Sequence, residues 1–165
     1  MKINDVLNHF IKTQTPLAEV KTYSSKPGIY AIFLIEKEFP LNGFKLPENK
    51  IIYIGKTEKS QLSRDANTHF KSGKTGSSTL RRTIAALLSQ TQKITPLIRT
   101  MADVEKQRIT HFKLDESSEE IVSNWMNDNL AVAFFEYPET KEKINQLETV
   151  LKTTTVWVQT LAQKY

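Results

Sequence analysis

Three short runs of β-forming residues constrain the fold of this chain most strongly. They are IYAIFLI at residues 29–35, IIYI at 51–54 and LAVAFFEY at 130–137. Each run is rich in β-branched and aromatic side chains, a composition typical of strands. A Pro-Gly pair precedes the first run, Gly55 stops the second and Pro138 closes the third. We therefore predict three strands at these positions.

The spacing of the first two runs predicts that they pair in an antiparallel way. About fifteen residues separate them, and these include the turn-forming Pro40, Asn42-Gly43 and Pro47. No helical periodicity lies between the two runs, whereas a parallel crossover usually contains a helix. Two antiparallel neighbours joined by a long loop are the simplest arrangement.

Amphipathic segments surround the three predicted strands. Apolar residues recur every three or four positions in segments 3–12, 61–71, 79–90, 119–129 and 141–152. The last four have the candidate N-caps Ser60, Ser78, Ser118 and Thr140. We expect an α/β fold of the α+β type, with a small, three-stranded, mostly antiparallel sheet flanked by helices. The expected units are a helical extension over 1–25, a domain over 26–152 and a tail over 153–165 packed on that domain.

The composition excludes several classes of protein. The 165 residues include no cysteine and only three histidines. Disulfide scaffolds, zinc–thiolate sites, thiol catalysis and histidine-rich metal cages are therefore excluded. No run of about 18 apolar residues occurs, and Asp5 and Asn8 stand where a signal peptide would be apolar. We expect a soluble, cytoplasmic protein.

Basic and acidic residues are segregated along the chain. Residues 50–82 carry eight Lys or Arg against two acidic residues, a net +6, and residues 101–150 carry five against eleven, a net −6. A basic block of this kind is typical of a surface that binds nucleic acid. The alternative is that the basic and acidic segments form two solvent-exposed faces, or that they pair with each other. The candidate nucleic-acid contacts are Lys59, Lys71, Lys74, Arg81 and Arg82.

The glycine-rich loop GKTGSST at 73–79 is not a nucleoside-triphosphate site. A phosphate loop requires glycine five residues before the Gly-Lys pair, where this chain has Thr68, and it requires a preceding strand. The backbone N–H groups before the next helix, with Lys74, Arg81 and Arg82, suit a single phosphate instead. An ordinary capped helix start is the alternative. Arg82 lies on the polar side of its helix and is the better exposed contact.

Two tripeptides lie on the first two predicted strands. They are Gly28-Ile29-Tyr30 and Tyr53-Ile54-Gly55, and they are followed by Lys56, Arg64, His69 and, far downstream, Glu148. In this order the residues resemble the GIY-YIG nuclease superfamily, the fold of group I intron homing endonucleases and of a repair endonuclease subunit. The resemblance covers roughly residues 26–152, and it is closest to a bacterial branch of that superfamily.

The resemblance implies a metal-dependent endonuclease that hydrolyses phosphodiester bonds of DNA, with RNA as the alternative substrate. One tyrosine acts as general base on water; we favour Tyr30, with Tyr53 as the alternative. A neighbouring cation, Lys56 or Arg64, is expected to lower the pKa of that tyrosine. Arg64 stabilises the phosphate, and Glu148, on the inward stripe of its helix, holds one Mg²⁺ or Mn²⁺ ion.

The position of His69 leaves two interpretations. The family usually spaces its arginine and the following His or Tyr by four residues, whereas Arg64 and His69 are five apart. On an ideal helix five residues span about 140° around the axis. Either the helix departs from ideal geometry and His69 joins the site, or His69 is not equivalent and forms a surface pair with Asp65.

Two other functions remain open alternatives. A catalytically silent nucleic-acid-binding module on the same fold would explain the basic block without any chemistry. An interaction protein would dock through the N-terminal helix or the helix that contains Trp125. Both a monomer and a homodimer remain possible oligomeric states, because restriction enzymes usually dimerise to cut both strands.

Overall fold

The structure is a computed structural model that describes residues 2–35, 48–108 and 110–155. In chain order its elements are α1 (Ile3–Thr13), β1 (Thr15–Pro16), β2 (Gly28–Leu34), β3 (Ile51–Thr57), a π-helix (Leu62–His69), α2 (Thr79–Leu88), β4 (Pro96–Ile98), α3 (Met101–Glu105), β5 (Phe112–Leu114), α4 (Glu116–Asn129), β6 (Leu130–Glu136) and α5 (Lys141–Thr155). The predicted turns at Pro40, Asn42-Gly43 and Pro47 and the end of the predicted tail, from residue 156, lie outside the described residues.

The main sheet is antiparallel, with strand order β1-β6-β2-β3. The three long strands form at the three runs predicted from the sequence, and β2 lies between its two partners. The expectation of a small antiparallel sheet flanked by helices is therefore confirmed. The expected stop of the second strand at Gly55 is wrong, because β3 continues to Thr57, which pairs with Gly28. The two-residue strand β1 extends the sheet beyond β6.

Helices cover both faces of this sheet. One core cluster packs β2 residues such as Ile32 against Leu88 of α2 and Met126 of α4. The other packs Phe33 of β2 with residues of α1 and α5. All seven residues of β2 are consequently buried, which explains why this strand is a continuous apolar run and shows no alternation.

The N-terminal segment, expected as an extension, is part of the same core. Val6 and Phe10 of α1 are fully buried in the cluster that also contains Ala131 and Ala133 of β6. The strand β1 then pairs with β6 through Thr15 and Pro16. Removal of this segment would therefore expose the part of this face around β6, while α5 would still cover β3.

Two features differ from the expected elements. A second, two-stranded sheet of β4 and β5, with α3 between them in the chain, forms between the segments predicted as helices at 79–90 and 119–129, where the sequence predicts no element. Helix α4 begins at Glu116, because the Asp115 carboxylate accepts from the Ser118 backbone N–H at 2.9 Å and is the N-cap. The predicted cap, Ser118, instead accepts from the backbone N–H of Thr95. None of the helices in the described ranges has the length and apolar character that crossing a membrane takes.

Candidate active site

The two motif tyrosines lie side by side on one face of the sheet. In the register of β2 and β3, Tyr30 is opposite Gly55 and Tyr53 is opposite Ile32. Alternate residues of a strand share a face, so the two tyrosines are diagonal neighbours. Their rings stack with centroids 6.0 Å apart and planes inclined at 22°.

The two motif glycines are explained by close approaches. A Cβ atom on Gly55 would lie under 3.0 Å from ring atoms and the hydroxyl oxygen of Tyr30, so the Tyr30 ring lies directly over this residue. A Cβ atom on Gly28 would lie under 3.0 Å from the carbonyl oxygen of Phe135. Both positions therefore exclude a side chain for steric reasons.

We expect Gly55→Ala to displace the Tyr30 ring and to lower the free energy of unfolding by about 1–3 kcal/mol, as overpacking typically does. Urea unfolding measures the loss, and near-ultraviolet circular dichroism reports the tyrosine environment. Gly76→Ala is the matched control, because its Cβ atom would meet other atoms at an ordinary 3.5 Å. Equal, small effects of both substitutions would contradict this explanation of the motif.

The helix that contains Arg64 and His69 is a π-helix, and this places His69 at the tyrosines. The backbone N–H of Phe70 donates to the carbonyl oxygen of Asp65 at 2.8 Å, a bond from residue i+5 to residue i. Because a π-helix has more residues in each turn than an α-helix, residues five apart come closer to one face. The Nε2 atom of His69 lies 2.8 Å from the Tyr30 hydroxyl oxygen. The helix thus departs from ideal geometry, and the surface pair of Asp65 with His69 is wrong.

Burial determines the protonation of this cluster. It lowers the pKa of His69 to about 3, with further lowering by Arg64, Arg81 and Arg82, so the imidazole is neutral. It raises the pKa of Tyr30 well above the usual value of 10.0, and it also raises the pKa of Tyr53. Burial is the larger effect, so the net pKa shift of both tyrosines is upward. Arg64 acts in the expected direction and lowers both pKa values against that rise.

Lys56 faces other partners. Its ammonium group donates to the Glu58 carboxylate at 3.0 Å and to the side-chain oxygen of Asn145. It contributes to the wall of the cleft described below, but Arg64 is the cation that acts on the two tyrosine hydroxyls.

Asp65 is a buried carboxyl that the sequence did not mark. Its side chain is fully buried, and neither carboxyl oxygen has a hydrogen bond within the described residues. Burial raises its pKa to about 8, and the neighbouring Gln61 and Arg64 offset only part of that rise. Asp65 therefore retains its proton at neutral pH.

The two tyrosines and Arg64 open into a cleft of about 410 Å³. Its walls also include Lys56, Lys59, Thr68 and Glu148. Glu148 is on α5, and its Oε1 atom accepts from the Lys152 ammonium at 2.7 Å. The cleft thus brings together most of the residues that the resemblance indicated, and His69 lies behind Tyr30.

Two carboxylates line the cleft, those of Glu58 and Glu148. Glu58 forms ion pairs with Lys56 and Lys141. No group of three or more His, Asp or Glu side chains suited to a metal occurs within residues 2–35, 48–108 and 110–155. Mg²⁺ is commonly held by one or two carboxylates together with water and substrate phosphate oxygens. The Glu148 carboxylate at the wall of this open cleft fits that mode of binding.

The basic residues expected to contact nucleic acid divide into two groups. Lys59, Lys71 and Lys74 are exposed, and Arg82 is partly exposed. The guanidinium group of Arg82 donates to the carbonyl oxygen of Gly76 at 3.0 Å, which holds the loop before α2. These four positions are accessible to a phosphate backbone.

Arg81 is a correction to that set. Its side chain is fully buried and donates to the Glu119 carboxylate at 2.7 Å, to the Thr75 hydroxyl and to the Ser123 hydroxyl. Glu119 also accepts from the backbone N–H and hydroxyl of Thr75. Arg81 therefore ties the loop before α2 to α4 and is unavailable to a ligand.

Two exposed basic residues near this loop were missed. Arg99 follows β4 and Lys113 is on β5, and the aliphatic parts of both side chains lie beside Gly76. Arg99 also lowers the pKa of Arg82, as a nearby like charge does. No local signal marks them, because Lys113 belongs to a segment with a net acidic charge and the β4–β5 pairing is not apparent from the pattern.

Comparison with known proteins agrees with the geometry. No curated protein and no solved structure matches the chain significantly. The sequence does match a family described as the GIY-YIG catalytic domain, over residues 28–158. This span includes both tripeptides, the π-helix and Glu148. The chain therefore belongs to the GIY-YIG catalytic domain family.

Proposed function

We propose that this protein is a metal-dependent endonuclease that hydrolyses phosphodiester bonds of DNA. One observation carries the proposal: the contact between the Tyr30 hydroxyl and His69 at 2.8 Å, behind a cleft walled by Arg64 and Glu148. The rings of both tyrosines pack in the apolar core. Both residues nevertheless line the cleft, where Arg64 acts on their hydroxyl groups.

Each residue has a separate part in the hydrolysis. Tyr30 first loses its phenolic proton to solvent through the cleft, a step that Arg64 favours because its charge lowers the pKa of Tyr30. The phenolate then takes a proton from water, whose oxygen forms the new bond to phosphorus. Arg64 stabilises the additional negative charge of the five-coordinate phosphate. Glu148 would hold the divalent ion, which when bound would supply positive charge to neutralise the phosphate and the departing oxygen. That oxygen leaves as the bond to phosphorus breaks, and it takes a proton from solvent.

The substrate follows from the charge around the cleft. Lys71 and Lys74 lie between the π-helix and α2, and Arg82 is in the first turn of α2. Arg99 and Lys113, whose side chains lie beside Gly76, extend this basic surface toward the second sheet. A series of exposed cations beside a phosphate-cleaving cleft suits a polynucleotide backbone. We propose DNA as the substrate and keep RNA as an outcome of the test.

Cleavage with matched variants tests the proposal. Supercoiled plasmid, linear duplex DNA and RNA are incubated with the protein and Mg²⁺ or Mn²⁺. We expect Tyr30→Phe and Glu148→Gln each to lower the rate about a hundredfold or more, since general base catalysis contributes about 10²–10⁴-fold. Tyr137→Phe on the far side of the sheet and Glu142→Gln on the exposed face of α5 are the controls.

Metal-dependent cutting that the two site variants lose and the two controls retain would support the proposal. Salt-dependent binding of DNA without any product would favour the catalytically silent module. Equal cutting by the wild type and both site variants would show that another residue, or a contaminating nuclease, is responsible.

A further inference from the structure

The hydrogen bonds of Ser78 determine which nitrogen of His69 carries the proton. Ser78 is fully buried at the start of α2. Its hydroxyl oxygen has two partners within the described residues: the Arg81 backbone N–H at 3.1 Å and the Nδ1 atom of His69 at 2.7 Å. A backbone N–H can only donate, so the Ser78 oxygen accepts from Arg81.

The single proton of the Ser78 hydroxyl therefore requires an acceptor. A buried hydroxyl hydrogen without an acceptor costs about 1–3 kcal/mol. The Nδ1 atom of His69 is the acceptor within reach, so Ser78 donates to it. Neutral imidazole has one N–H donor and one bare nitrogen. His69 is neutral in this buried position, so its proton is on Nε2, the atom that faces Tyr30. The hydroxyl proton of Tyr30 has a separate acceptor, because the Tyr30 side chain also forms a hydrogen bond with the Tyr53 hydroxyl.

We propose that Ser78 is a positioning residue that fixes His69 in the Nε2–H tautomer, so that His69 donates a hydrogen bond to the Tyr30 oxygen. The catalytic consequence rests on the proposed nuclease function. A donor at this oxygen stabilises the phenolate form of Tyr30, and His69 is then a donor and not the base that removes the proton of Tyr30. The loop before α2 thereby contributes to the site although it does not line the cleft.

Nuclear magnetic resonance tests the tautomer without any substrate. In the ¹⁵N-labelled full chain at pH 7, long-range ¹H–¹⁵N correlation distinguishes a protonated from a bare ring nitrogen. The chain has three histidines, and the spectrum of His69→Gln identifies the signals of His69. We expect a bare Nδ1 and a protonated Nε2 in the wild type. A protonated Nδ1 would overturn the proposal.

Three variants separate the tautomer from helix capping. Ser78→Ala removes the donor, and we expect the Nδ1 signal to shift toward the protonated form; an unchanged spectrum would overturn the proposal. Ser78→Thr retains the hydroxyl and should restore the wild-type spectrum. Thr100→Ala removes the N-cap of α3 and should leave the signals of His69 unchanged. If Ser78→Ala does not fold, the wild-type and Ser78→Thr spectra still decide the question.

Kinetics then connect the tautomer to catalysis. We expect Ser78→Ala to lower kcat about tenfold, as the loss of one hydrogen bond to a charged group does, with KM nearly unchanged and with rescue by Ser78→Thr. A wild type that shows the Nε2–H spectrum but cuts no nucleic acid would contradict the proposed function and leave the tautomer assigned. An active Ser78→Ala variant with wild-type kcat would overturn the positioning role.

Discussion

Replacing Asp65 by asparagine is expected to raise the free energy of unfolding by about 5 kcal/mol at pH 8 and to change it little at pH 3. The folded pKa of this carboxyl is about 8 and its ordinary value is 3.8. Below pH 4 both states hold the proton. Between those values the unfolded chain ionises and the folded one does not, so the folded state loses about 1.4 kcal/mol per pH unit. Asparagine does not ionise and avoids that loss.

Urea unfolding of both chains at pH 3, 5, 6.5 and 8 measures the difference. Asp128→Asn, on the exposed part of α4, is the matched control and should differ from the wild type by less than about 0.5 kcal/mol throughout. His69 is common to all three proteins, so its own titration cancels. A pH-independent difference for Asp65→Asn would show that Asp65 is ionised in the folded protein and has a partner at neutral pH.

Replacing Arg81 by methionine is expected to lower the free energy of unfolding by about 3–5 kcal/mol. Its guanidinium group is fully buried and forms an ion pair with Glu119, which is 5% exposed. Removing one partner leaves the other charge buried without its counterion, which is the costly case for a buried pair. The midpoint of urea unfolding should fall at an unchanged slope.

The neighbouring arginine is the natural control for that substitution. Arg82→Met removes the same charge one residue away, at a partly exposed position, and should cost about 1 kcal/mol or less. The double variant Arg81→Met/Glu119→Gln removes both charges and should recover part of the lost stability. If the single variants Arg81→Met and Arg82→Met were equally stable, the buried ion pair would contribute nothing to the free energy of unfolding.

The long elements were predictable because their patterns are strong. The three main strands are continuous runs of β-forming residues, and α1, α2, α4 and α5 have clear apolar stripes. The short strands β4 and β5 were not predictable, since residues 96–98 are exposed and their pairing depends on contact with a distant segment. The start of α4 was placed too late because Asp115 and Ser118 are both good N-caps.

The positions of the motif residues in the candidate site were predictable from the sequence. The residues whose properties depend on burial were not. Tyr30, Tyr53, Arg64 and Glu148 stand in motif order, and they line one cleft. The burial of Arg81 and Asp65 is not apparent from spacing, since charged residues on helices are usually exposed. The effect of burial on the tyrosine pKa was missed for the same reason, because a sequence lists neighbouring charges but not the loss of solvent.

The π-helix that contains Arg64 and His69 affects how proteins with this motif are recognised from sequence. The π-helix brings residues five apart toward one face, so His69 reaches Tyr30 at a spacing of five residues from Arg64. A search pattern with a fixed interval between the arginine and the histidine would reject this chain. Gaps in the alignment at this helix should therefore be judged by whether the side chains converge in space.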